Sequence, residues 1–97
     1  MANQSLDVPA EAAGDPKAAE IARIWIVDGD QHVSLRVGGW AGPEGWGIIL
    51  ADLARHVANA FEQVDSMKYA GALTTIENAF LVEMMAPTTE SSGEVIS

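Results

Sequence analysis

Apolar residues recur with a period of two between Ile21 and Val37, and with a spacing of three and four from Trp46 onward. In the first region Ala22, Ile24 and Ile26 alternate with Arg23, Trp25 and Val27. Beyond a polar break, Val33, Leu35 and Val37 alternate with His32, Ser34 and Arg36. Alternation of this kind, rich in β-branched and aromatic residues, predicts two strands. The break, Asp28-Gly29-Asp30-Gln31, supplies the turn between them.

A two-residue turn at Gly29-Asp30, or a four-residue loop 28–31, sets Val27 opposite His32, Ile26 opposite Val33, Ile24 opposite Leu35 and Ala22 opposite Val37. A turn at Asp28-Gly29 keeps the same two faces and shifts the pairs diagonally. In either case one face is wholly apolar, the arrangement that cross-strand packing favours. Loops of odd length mix the faces.

Gly38-Gly39 closes the hairpin, and a glycine-rich connection runs on to Pro43. Proline fits the first position of a helix because its missing N–H is not needed there, and Glu44 complements the partial positive charge of that end. Trp46, Ile49, Leu50, Leu53, Val57, Ala60, Phe61 and Val64 mark one face over about five turns. Asp52, Arg55, Asn59, Glu62 and Gln63 fill most of the other. After Asp65-Ser66, the spacing of Tyr69, Leu73, Ile76, Phe80 and Met84 predicts a second helix over 67–86, stopped by Pro87. Ser66 is a candidate cap for its start. Thr74 to Glu77, of capping-box form, is an alternative start. Gly71 weakens its first turns by about 1 kcal/mol relative to alanine.

The predicted fold is α+β: an N-terminal β-hairpin whose apolar face packs on two antiparallel helices, ββαα. Residues 1–20 and 89–97 are polar, rich in Ala, Pro, Gly or Ser, and read as disordered tails, leaving 21–88 as the single domain. Pro9 and Pro16 interrupt any helix begun at Ala12-Ala13. At the other end, Val95-Ile96 has the makings of a short edge strand.

Length sharpens this picture. The chain has 97 residues and no cysteine, and its ordered part is shorter still. A domain of that size buries only about 60% of its unfolded surface and is marginal alone. Without disulfides or thiolate metal sites, the missing stability has to come from long helices, a partner subunit, or both. Trp25 and Val27 give the hairpin a second apolar spot, opposite the Ile24/Ile26/Leu35 face. A chain with two helices covers one side of a ribbon, so Trp25 and Val27 are the candidate interface of a homo-oligomer, in its simplest form a two-fold dimer.

Charge narrows the partners. Five Lys and Arg against 14 Asp and Glu give a net charge of −9. A phosphate backbone would be repelled, which argues against nucleic acid. The acids are spread along the chain as a solubilising field rather than gathered in a tail. The first twenty residues lack the basic and apolar segments of a signal peptide, and the apolar run Ile48–Ala51 is far short of a membrane span. The expectation is an acidic, cytoplasmic protein.

Four polar residues are the remaining candidates for chemistry. Asp52 and His56 stand four apart on one helix face, where a carboxylate orients an imidazole. His32 and Arg36 lie on the second strand. If hairpin and first helix meet, these four form a small ligand-binding or catalytic cluster; otherwise they are surface polarity. Asp28-Gly29-Asp30 begins like a calcium loop, but His32 and Gly39 occupy the places of its later ligands. Turn geometry explains it instead: Gly29 accepts positive φ, and aspartates are ordinary turn residues. The connection GGWAGPEGWG lacks the GK[ST] of a phosphate loop and has no lysine beside it, which leaves a packing role in which its glycines let Trp40 and Trp46 fold over the hairpin. No cofactor and no metal site is expected.

The run RIWIVDGDQHVSLRVGGWAGPEGWGIILADLARHVANAF resembles a family of small, uncharacterised bacterial proteins, a domain of unknown function. The similarity is carried by QHVSLR, by WGIILADLARHVANA and by the proline of APT. It spans residues 21–88 and leaves out both tails. It implies a small standalone bacterial protein and brings no activity, cofactor or catalytic residue. The function expected is that of a non-enzymatic protein-interaction module, acting as a homo-oligomer or as a small adaptor for another, unidentified cytoplasmic protein, with the His32, Arg36, Asp52 and His56 cluster as the alternative.

Overall fold

The structure, a computed structural model, describes residues 5–39, 41–88 and 92–96. In chain order it contains a one-turn helix α1 (Ala10–Ala13), strands β1 (Ala22–Val27) and β2 (Asp30–Arg36), helices α2 (Pro43–Asp65) and α3 (Tyr69–Met85), and strand β3 (Ser92–Ile96). The central order is the predicted ββαα. The one-turn helix sits between Pro9 and Pro16 and buries nothing.

The hairpin turns at Asp28-Gly29. Both residues are left-handed, with φ of 52° and 83°, which matches the right-handed twist of the flanking strands. Aspartate and glycine are residues that adopt this conformation at low cost. The pairs are therefore Val27 with Asp30, Trp25 with His32, Ile24 with Val33 and Ala22 with Leu35. This is the diagonal register rather than the one pairing Ile24 with Leu35. Because the shift is two residues, every side chain keeps its predicted face.

A third strand joins at the far side. β3 runs parallel to β2, setting Val33 opposite Gly93 and Leu35 opposite Val95, so the sheet order is β1-β2-β3. Residues 92–96, read from sequence as part of a tail, thus extend the apolar face with Val95. Gly93 is what allows the approach: a Cβ there would lie 2.1 Å from the carbonyl oxygen of Val33.

α2 opens with Pro43 at its first turn and Glu44 beside it, as expected. It ends at Ser66, whose φ of 58° turns the chain out of the helix. Ser66 therefore terminates α2 and does not cap α3. That role falls to Glu62, whose Oε2 accepts the backbone N–H of Tyr69 at 2.9 Å. α3 begins ahead of Thr74 and runs unbroken through Gly71. Past its end, the Glu83 carboxylate accepts both the N–H and the hydroxyl of Thr88, at 2.5 and 2.9 Å, tying the chain beyond Pro87 back to the helix.

The two helices pack on each other, and Ala58 on α2 and Ala72 on α3 are the two buried hydrophobic residues among those described. Small side chains there let the helix backbones approach closely. The sheet does not join this contact. Among the described residues, no Cα of any strand comes within 8 Å of a Cα in α2 or α3. The apolar face of the hairpin and the helix pair are both formed; on that face Ile24 and Ile26 stay exposed, while Ala22, Val33 and Leu35 are half-buried.

The surface records the consequence. The chain exposes 8223 Å², where a compact folded chain of 10.2 kDa exposes about 5,300 Å². Its radius of gyration is 15.2 Å, against about 12.5 Å for a compact domain of this length. No helix among the described residues is long and apolar enough to cross a membrane.

Candidate interaction surface

The strand register places Trp25 and His32 directly opposite each other, on the same side of the sheet as Val27. Trp25 is 37% exposed and Val27 48%. Trp25 is thus partly covered, while the reverse side of the hairpin is more open: Ile24 is 53% exposed and Ile26 69%. Sequence reasoning gave the reverse side to the helices and looked for an interface around Trp25. The Ile24 side is open at Ile24 and Ile26, while Ala22, Val33 and Leu35 are half-buried. Its signal was present in the alternation itself, but periodicity does not say what covers a face.

A matching stripe runs along α2. Leu50, Leu53, Val57, Phe61 and Val64, at steps of three and four, are all 39% to 80% exposed. Together they occupy a flank of the helix beside the Ala58 contact. Val57, Ala60, Phe61 and Val64, with Asp65 at the rim, line an open hollow of about 210 Å³ on this stripe. On α3, Phe80 and Met84 are 51% and 69% exposed.

The four polar candidates divide by element. His32 and Arg36 belong to β2, and Asp52 and His56 to α2, whose backbones stay more than 8 Å apart. Arg36 is engaged at the base of the hairpin. Its N–H donates to the carbonyl of Ile21 at 2.9 Å, and its Nε to that of Glu20 at 3.4 Å. Close by, Arg23 pairs with Glu20 at 2.8 Å, and a shallow hollow of about 200 Å³ opens between Ile21, Ala22 and Leu35. On α2, Asp52 pairs with Arg55 rather than with His56. Both members of that pair are half exposed, where such pairs contribute little. Among the described residues no group of three or more His, Asp or Glu is placed to hold a metal ion. Trp40 lies outside the described residues; Trp46 is half-buried in the first turn of α2.

These features define a class: a small ββαα chain whose sheet and helical hairpin each present an uncovered apolar face. The chain belongs to the family described as Domain of unknown function (DUF5076), which matches residues 5–88. The match includes residues 5–20, which the sequence resemblance had left out as a tail, and stops short of β3. A similar solved structure is that of "a putative pyruvate dehydrogenase from the photosynthetic bacterium Rhodopseudomonas palustrus CGA009". The two chains are 27% identical and superpose with a TM-score of 0.71, over 93% of this chain and 92% of that one. Among curated proteins, none matches.

Proposed function

We propose that the protein is a non-enzymatic protein-interaction module that works as a homo-oligomer, in its simplest form a dimer. One observation carries this reading: two alanines are the buried hydrophobic residues among those described, while large apolar side chains on both the sheet and α2 stay open. Burying a large aliphatic or aromatic side chain contributes roughly 1.5–3 kcal/mol. Half-buried side chains such as Leu35, Ile49, Leu73 and Ile76 contribute only part of that against the ordering entropy of two strands and two long helices. A partner surface supplies what is missing. The excess over a compact chain, about 2,900 Å², includes the exposed segment 5–20 and leaves room for the roughly 1,000–2,500 Å² that an obligate dimer buries per subunit.

The alternative, a binding or catalytic cluster of His32, Arg36, Asp52 and His56, needs β2 and α2 to meet, and within the chain they stand apart. The dehydrogenase description belongs to the Rhodopseudomonas protein. The acidic composition and the bacterial source of the similar structure support a bacterial, cytoplasmic setting.

Sedimentation equilibrium across a hundredfold range of concentration tests the reading. A mass of two or more chains that persists as the protein is diluted supports it. A folded, stable monomer of 10.2 kDa overturns it.

A further inference from the structure

We infer that the covering is reciprocal: the apolar sheet face of one chain closes on the α2 stripe of a second copy, and the second sheet closes on the first. This rests on the homo-oligomer reading and specifies its geometry. The two surfaces match in length. Leu50 to Val64 spans fifteen residues of helix, about 21 Å at 1.5 Å per residue step. β2 has seven residues, about 23 Å of strand. They match in chemistry as well, since Ile24, Ile26, Leu35 and Val95 face the same way from three adjacent strands.

The residues entering α2 are closely placed. Gly39 is left-handed at φ 84°, and Pro43 fixes its own φ at the helix start. Gly45 lies so near Ala41 that a Cβ would meet the Ala41 Cβ at 2.6 Å. Trp46 N–H donates to the Gly42 carbonyl at 3.2 Å. These placements fix the entry to α2. A second copy related by a two-fold axis presents a helix stripe to each sheet and a sheet to each stripe. The Ile24 face and the α2 stripe are then both satisfied by one closed, self-complementary contact.

The experiment is an isotope-filtered NOE measurement on the unmodified protein, mixing ¹³C-labelled and unlabelled chains after joint refolding. The expected result is interchain cross-peaks between the methyl groups of Ile24, Ile26 or Leu35 and those of Leu53, Val57 or Val64. Interchain peaks confined to helix against helix, or to sheet against sheet, overturn the reciprocal arrangement and leave the homo-oligomer standing. Sheet-to-helix peaks seen only within a chain do the same. A monomeric mass in the same sample overturns both.

Discussion

Glu62 and Tyr69 join the two helices end to end: the Glu62 carboxylate, from the last turn of α2, accepts the first free N–H of α3 at 2.9 Å. A helix leaves its first N–H groups without partners inside the helix, and here the preceding helix satisfies one of them. The bond spans the link 66–68 and so fixes the turn between the helices as well as the start of α3. Glu62→Ala is expected to cost about 1 kcal/mol, the usual value of a lost N-terminal cap. Glu62→Gln, which still accepts through its amide oxygen, is expected to recover most of that. Urea unfolding followed by helical circular dichroism, at one fixed protein concentration, measures both.

At the hairpin turn, Gly29→Ala places a Cβ at φ 83° and is expected to cost about 1–2 kcal/mol. Asp28→Gly relieves the same strain at the neighbouring position and is expected to be far milder. A larger loss at Asp28 than at Gly29 in thermal unfolding would count against the turn described.

Gly93→Ala drives a methyl group into the Val33 carbonyl. The expected outcome is release of β3 while the helix pair remains. Hydrogen exchange reads this directly, as lost protection of the amides of residues 92–96 with protection in α2 and α3 unchanged.

Assembly is tested by charge placed on each face. Val57→Asp and Ile24→Asp are each expected to reduce the sedimenting mass to one chain, folded or unfolded. His56→Asp, on the polar side of α2, is expected to leave the mass unchanged. Trp25→Ala separates the two sides of the sheet: a mass equal to wild type removes Trp25 from any interface, whereas dissociation there with Ile24→Asp intact puts the contact on the Trp25/Val27 side.

The polar residues are expected to be quiet. Asp52→Asn removes a half-exposed ion pair with Arg55 and is expected to change stability by less than about 0.5 kcal/mol. A drop of several kcal/mol, by the same urea titration, would mean that Asp52 is buried in the assembled protein.

What the sequence determined by itself is everything set by local rules. Alternation from Ala22 to Leu35 fixed two strands and the side each residue takes; Asp28-Gly29 supplied a turn whose register differs from its rival only by two residues. Pro43 and the three-and-four spacing from Trp46 to Val64 fixed a helix, and Pro87 ended its successor. Such signals depend on neighbours within a few positions, so one chain of letters carries them. Three things lay outside that reach. Glu62 caps a helix seven residues away because a left-handed Ser66 folds α3 back. β3 joins the sheet across some sixty residues of sequence, through a glycine chosen by one close approach. Above all, periodicity says that the Ile24 face must be covered but not by what. Among the described residues no strand Cα comes within 8 Å of a Cα in α2 or α3, and where two layers come to lie is a property of three-dimensional packing that is written in no single residue.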